Sequence, residues 1–339
     1  MKDQAHIAEK LPESLLKIII NYLNKKRIRE EDLKDLEKNQ EKFLKIIDEL
    51  KKSPIALTPE LANQQHYELP YEFFELVLGK YKKYSCCYYD SPNLSLDEAE
   101  KKMLDLYIER GEMKNGHSIL DLGCGWGSFS LYIAEKFPKS KVVAVTNSKL
   151  QKEYIDNQIK IRKLKNLKVI KADMNVFETK QKFDRVISVE MFEHMRNYEK
   201  LLEKISRFMN KNAKLFVHIF AHRQFPYFYV VRDETDWMAK YFFTNGIMPS
   251  ANLLHYFQKD LYIEKEWYVN GRHYYYTSLA WLQNYTKNKD KILEIFRRVY
   301  DDPELWLIRW KIFFLAVAEF FKTNKGTEWF VVHYLFAKK

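Results

Sequence analysis

The stretch Ser118-Ile119-Leu120-Asp121-Leu122-Gly123-Cys124-Gly125-Trp126-Gly127-Ser128 decides how this chain is read. Residues 118–122 form a short apolar run of strand length, and from Ser128 to Phe137 the spacing of apolar residues turns helical. Between them, three glycines at alternate positions let the backbone come close to a ligand. The free N–H groups and dipole of a helix N-terminus at that point favour a polar or anionic group. A purely structural turn is the alternative. A dinucleotide fingerprint would place its third glycine at position 128 and an acidic residue about 20 positions further on to hold a ribose. Position 128 is Ser128, and Lys141 to Leu150 contains no Asp or Glu. Nicotinamide and flavin chemistry is therefore disfavoured, whereas Asp121, just ahead of the glycines, suits a ligand that carries an amino group.

Working outward, Lys141–Val145, Leu167–Ala172, Phe183–Val189 and Lys214–His218 read as strands, with helices over Leu150–Leu164 and Tyr198–Met209. That alternation predicts an α/β fold, a doubly wound, Rossmann-like parallel sheet. Upstream, Pro12 to about Leu50 is rich in Leu, Ile, Lys and Glu without a single glycine, which predicts two or three helices. Lys52-Ser53-Pro54 breaks the pattern, aromatics crowd Asn63 to Ser85, and Leu96–Arg110 is helical again. Beyond Ala221 the pattern loosens into an aromatic-rich stretch. Helical signals then cover Leu279–Tyr300 and Trp306–Phe321, and Trp329–Phe336 reads as a last strand. The expected organisation is a helical N-terminal cap (1–110), a ligand-binding core (111–220), and a helical, aromatic-rich substrate-binding insertion that ends by completing the sheet (221–339).

Composition narrows the function. At 339 residues, 46% hydrophobic and 30% charged, the chain can fold around a core of its own, and its 16% aromatic content exceeds what a core needs. Tyr and Trp at that density suggest a ligand pocket. The unbroken apolar run Ile312–Ala318 falls far short of the roughly 20 residues of a membrane span. Met1–His6 is too polar for a secretory leader, and Cys86, Cys87 and Cys124 are a sparse, odd set, so a cytoplasmic protein with reduced thiols is expected. The net charge of +11 is spread along the chain; residues 1–53 hold 13 basic and 11 acidic side chains, with no dense basic tail to grip phosphates. A nucleic-acid partner is not expected, and an oligomer is left open. Adjacent Cys86 and Cys87 lack metal-ligand spacing, so no metal is expected. His66, His222 and His273 read as core or rim residues; among the scattered histidines, only His218 is singled out.

Residues 119–127 resemble the first motif of class I S-adenosylmethionine-dependent methyltransferases. Tyr84-Ser85-Cys86, Val145-Thr146-Asn147-Ser148 with Gln151, Phe192-Glu193-His194, and His273-Tyr274 with Thr277 extend the resemblance. Together they are similar to the cyclopropane fatty acid synthase superfamily, and within it to the coclaurine-type N-methyltransferases, from about residue 60 to the end. The resemblance implies S-adenosyl-L-methionine as cofactor. The implied cofactor residues are Tyr84, Ser85, Asp121, Gly123, Gly125, Gly127, Thr146, Asn147, Gln151, Asp173 and Met174, with Thr146 and Gln151 in place of the missing ribose acid.

Glu190, Glu193 and His194 follow the strand Phe183–Val189, at the carboxyl edge where open α/β sheets bind ligands. Spacing i, i+3, i+4 on an opening helix would put the three on one face, and two nearby carboxylates raise the proton affinity of one toward that of a general base. Methyl transfer from a sulfonium to an amine needs such a base, because the nitrogen must first lose its proton; aromatic rings could hold the cation. The alternative is an acidic helix start that satisfies the dipole, with His194 an ordinary neighbour. The expected activity is methylation of the nitrogen of a small, cyclic amine with a Glu/His base. The superfamily offers a second reading, a cyclopropane-fatty-acyl-phospholipid synthase acting on an unsaturated phospholipid at a membrane surface, with bicarbonate held by Cys86, Glu193, His218 and Tyr274. Glu190 is usually glycine in those lipid enzymes and glutamate in the N-methyltransferases. The segments Ala318-Glu319-Phe320-Phe321 and Gly326-Thr327-Glu328-Trp329 also resemble the amine branch.

Overall fold

In a computed structural model, β1 (Ser118–Leu122) lies between β2 (Lys141–Thr146) and β4 (Phe183–Val189), paired in parallel with both. Residues 11–57, 69–233 and 236–339 are described; Met1–His6, His66 and the start of the aromatic segment lie outside them. The sheet runs β3-β2-β1-β4-β5-β9-β8, with β3 (Leu167–Lys171) and β5 (Met209–His222) parallel to the rest. β8 (Leu261–Val269) and β9 (Trp329–Lys338) complete it, β9 running antiparallel to both β5 and β8. Two short strands, β6 (Tyr227–Phe228) and β7 (Ile247–Met248), pair apart from it. The doubly wound expectation holds through the first five strands. Strand order reverses at β1, so a crevice opens beyond the carboxyl ends of β1 and β4.

The sheet is buried on both faces, which explains the short apolar runs. Ile119, Ile187, Phe216 and Val331 pack into the core on one face; Leu120, Val186, Leu215 and Val332 pack into the core on the other. Each such side chain, removed from water, contributes about 1.5–3 kcal/mol. Helices cover the faces: α1 (Glu13–Glu31), α2 (Leu36–Lys52), α3 (Tyr71–Val77), α4 (Leu96–Arg110), α5 (Ser128–Lys136), α6 (Lys149–Ile161), α7 (Tyr198–Phe208), α8 (Trp237–Tyr241), α9 (Arg272–Lys287), α10 (Lys289–Phe296) and α11 (Pro303–Gly326). A capping box between Ser95 and Glu98 starts α4.

Two expectations fail here. The helical signal over Leu279–Tyr300 is two helices, parted at Asn288, whose amide donates to the backbone oxygens of Leu76 and Asn284. β8 was not foreseen: Leu-Tyr-Ile-Glu-Lys-Glu-Trp-Tyr-Val is an edge strand with much of its length open to solvent, and it lacks the apolar pattern of a buried one.

Gly127 caps α5 at φ 76°, and a Cβ there would lie 2.8 Å from Cγ1 of Ile155 on α6. Gly127→Ala should therefore lose roughly 1–3 kcal/mol from backbone strain and the displaced helix contact. Thermal unfolding of the unliganded protein checks this, and a variant as stable as the parent would show that α6 yields without cost.

Candidate active site

A cavity of about 140 Å³ opens over the glycine turn. All the expected cofactor residues line it except Gly127: Tyr84, Ser85, Asp121, Gly123, Gly125, Thr146, Asn147, Gln151, Asp173 and Met174. Gly127 lies just outside that lining, where it packs against Ile155. Asp121, in β1 and 2% exposed, accepts a hydrogen bond from Ser130 Oγ at 2.5 Å, and burial pushes its carboxyl up to about 7. Thr146 Oγ1 donates to Gln151 Oε1 at 2.6 Å, which fixes the Gln151 side chain beside the cavity. At Gly125, φ is 54° and the place of a Cβ is empty to 4 Å, so the backbone is bare toward the cavity. Two lining groups that sequence reasoning passed over, Trp126 Nε1 and Ser128 Oγ, are buried with no partner among the described residues. A bare backbone, a buried carboxyl and unpaired donors fit a ligand with polar and ammonium groups, as S-adenosylmethionine has.

A second cavity, about 510 Å³, adjoins the first. Leu16 and Ile20 of α1, Tyr227 and Tyr229 around β6, Tyr274 and Trp281 of α9, and Phe313 and Phe320 of α11 wall it. Tyr84, Glu190 and His194 line both cavities, so they mark the seam where a group could pass from one ligand to another. Glu193 faces only the larger cavity.

The seam is built from four separate elements. Glu190 leaves β4 at φ 46°, with its N–H donating to His218 O at 2.9 Å. Its Oε1 accepts from the Cys86 N–H at 2.9 Å and lies 3.0 Å from His218 Nε2 on β5; its Oε2 accepts from the Tyr274 hydroxyl at 2.7 Å. The loop bearing Tyr84, Ser85 and Cys86 is held by buried Glu100 of α4, which accepts the N–H groups of Gly79 (3.0 Å), Tyr81 (2.7 Å) and Lys83 (3.2 Å). Lys83 Nζ then donates to Ser85 Oγ and to Cys86 O.

The expectation that Glu190, Glu193 and His194 share a helical face is corrected: Glu190 is left-handed and residues Phe192–His194 form a single 3-10 turn. They meet instead as walls of one cavity. Glu193 is fully buried, and neither of its oxygens has a partner among the described residues. Burial, then Glu190, holds its carboxyl well above the usual carboxylate range. The His194 ring stacks on Phe243 (centroids 5.3 Å apart), and burial lowers it to about 4, leaving a neutral imidazole.

The bicarbonate expectation meets a physical obstacle. Cys86, through its N–H, His218 and Tyr274 all close on the Glu190 carboxylate, and the Cys86 thiol turns to Cys87 O at 3.3 Å. Glu193, the fourth residue of that expectation, makes no side-chain hydrogen bond among the described residues.

Residues 57–327 match the family model described as mycolic acid cyclopropane synthetase. The chain belongs to this family. It is 41% identical over 296 residues to a (S)-coclaurine N-methyltransferase of Thalictrum flavum subsp. glaucum, covering 86% of this chain and 82% of that one. To the cyclopropane-fatty-acyl-phospholipid synthase of Escherichia coli it is 26% identical over 246 residues, 71% of this chain and 61% of that one. The solved structure of a coclaurine N-methyltransferase bound to N-methylheliamine and SAH superposes with a TM-score of 0.93 at 37% identity, over 97% of this chain and 96% of that one. This protein is an S-adenosylmethionine-dependent methyltransferase.

Gly125→Val should abolish cofactor binding by calorimetry; a Cβ there meets nothing within 4 Å, so the unliganded fold should bear only the strain of a branched residue at φ 54°, about 1–3 kcal/mol, which thermal unfolding measures alongside. Retained affinity would displace the cofactor from this turn. Asp121 yields a signed pH dependence. Its folded value of about 7 lies above the ordinary 3.8, so the unliganded fold holds an extra proton and loses stability as pH rises through that window. A ligand ammonium beside it favours the ionised form, so SAH affinity should climb with pH toward 7 and then level. Asp121→Asn should flatten both trends in titrations across pH 5–8.

Proposed function

We propose that this methyltransferase methylates the nitrogen of a small cyclic amine bound in the larger cavity, with Glu190 taking the proton that the nitrogen must lose. The observation that carries this is the Glu190 carboxylate at the seam, held by three donors and facing both cavities. S-adenosylmethionine, when bound, supplies the methyl group from its sulfonium. In this reading Glu193, a buried carboxyl without a partner among the described residues, draws in the substrate cation, whose charge would restore the ionised carboxylate. The rings of Tyr84 and Tyr229, which line the same cavity, give the cation further aromatic neighbours. Neutral His194, at the same seam, is a second proton acceptor. A cavity of about 510 Å³ suits a molecule of two or three rings. The names of the relatives, coclaurine N-methyltransferases, support an amine of that class.

Against the lipid reading, the Cys86 N–H, His218 and Tyr274 already hold the Glu190 carboxylate. We place the enzyme in the cytoplasm, with a small molecule and not nucleic acid as its partner. Its three cysteines are buried free thiols, and among the described residues no helix is long and apolar enough to cross a membrane.

Glu190→Ala should lower the methylation rate of a cyclic secondary amine by roughly 10²–10⁴. Added bicarbonate or formate should restore some of it, since the Cys86 N–H, His218 and Tyr274 remain to hold an anion. Cyclopropane formation from unsaturated phospholipid vesicles by the parent enzyme, dependent on bicarbonate, would overturn the proposal. The rate should also rise with pH, because a protonated amine has no lone pair with which to attack. Glu193→Ala and His194→Ala should be slow at neutral pH and recover partially in alkali; variants as fast as the parent at every pH would show that deprotonation happens in solution.

A further inference from the structure

His218 and His333 face each other across β5 and β9, fully buried, at opposed positions of the antiparallel pair. Arg110 Nη1, at the end of α4, lies 2.8 Å from His333 Nδ1; His333 Nε2 lies 2.9 Å from His218 Nδ1; His218 Nε2 lies 3.0 Å from Glu190 Oε1. We infer that Arg110 sets the position of every proton in this array, and so holds a hydrogen-bond donor on the Glu190 carboxylate. Arg110 and His333 are positioning residues, remote from the substrate, that act through His218.

The argument is one of donors and acceptors. A guanidinium only donates. His333 Nδ1 must therefore be bare, with its single proton on Nε2. That proton points at His218 Nδ1, which must accept, so the His218 proton sits on Nε2 and points at Glu190. Turning either tautomer over sets two donors, or two lone pairs, against each other. Burial pushes both imidazoles well below their usual range, so each carries one proton only. The Tyr107 hydroxyl, 2.9 Å from His218 Nδ1, can only donate to that bare nitrogen; it shares the lone pair with the His333 Nε2 proton and favours the same His218 tautomer, so the order at His333 is the part that Arg110 alone dictates. The other groups facing Glu190 are Lys83, Tyr84 and Cys86 from the loop, Tyr107 from α4, Glu193 and His194 from its own turn, and Tyr274 from α9. A consequence follows for proton traffic. Since His218 Nε2 already bears a proton, the array stabilises the carboxylate but cannot conduct a proton outward from it, and the proton taken from the amine leaves through the cavity.

The kinetic side of this inference rests on the proposed role of Glu190; the tautomers do not. In ¹⁵N-histidine spectra of the unliganded parent, His218 and His333 should each show a protonated Nε2 and a bare Nδ1. Arg110→Met should populate the second tautomer. It should also raise the acid limb of kcat for heliamine, the unmethylated form of the relative's ligand, by about one pH unit, a roughly tenfold loss below the limb. The cofactor KM should not move. Arg110→Lys, whose ammonium also only donates, should keep the parent tautomers and limb. If Arg110→Met does not fold, His333→Gln, which can accept from Arg110 and donate to His218, should keep the limb that His333→Leu raises. A ring protonated at Nδ1 in the parent, or an Arg110→Met or His333→Leu enzyme with the parent limb, would overturn the inference. Parent tautomers as stated without methylation of heliamine would sustain the proton order and defeat the amine reading instead.

Discussion

A carboxylate kept in a dry, aromatic place is the constraint on which this structure depends. An ionised side chain removed from water costs many kcal/mol unless donors replace the lost hydration. Glu190 obtains them from a loop N–H, a histidine of β5 and a tyrosine of α9. None of these elements can shift without uncovering a buried charge. The cap, the sheet and the C-terminal helices are thus locked together at the point where the two cavities meet. Glu100 has the same role further back: its carboxylate, buried in α4, gathers three N–H groups of the loop that delivers Tyr84, Ser85 and Cys86.

Around that point the aromatic side chains form a wall of low polarity. There Glu193, without a hydrogen-bond partner among the described residues, holds its proton well above the usual carboxylate range. The wall is closed by α1, which α11 backs and which Arg27 ties to Asp236 at 2.8 Å; Arg232 bonds the same aspartate at 3.1 Å. Part of the 16% aromatic content serves this wall: Tyr227, Tyr229, Phe243, Trp237, Tyr274 and Trp281 all line the larger cavity.

The family match and the relatives point in two directions, cyclopropane formation and N-methylation, and the seam reconciles them. The donors that the resemblance assigns to bicarbonate in lipid enzymes are present, with an anion of the same shape in their grasp, supplied by the chain itself. A carboxylate and a bicarbonate offer similar planar oxygens to the same donors. In this chain one glutamate following β4 occupies those donors.

The sequence by itself determined the strand-turn-helix at 118–136 and the alternation that follows, because both depend on short-range effects: side-chain periodicity and the steric freedom of glycine. The residues named for a cofactor came from the family resemblance, and all of them but Gly127 line one cavity. The sequence also picked out Glu190, Glu193 and His194, but for the wrong geometric reason, since a left-handed residue and a 3-10 turn stand where helical spacing suggested one face. Only the tertiary structure decided what Glu190 touches. Its partners lie 104, 28 and 84 residues away, and no local pattern records a donor that arrives from another element. His333, inside a strand that reads as plain core, and Arg110, at the end of a well-capped helix, gained their roles the same way. β5 and β9 had to pair in one register, and α4 had to pack beside them, before an arginine could dictate where a proton sits on a histidine two bonds removed from the carboxylate.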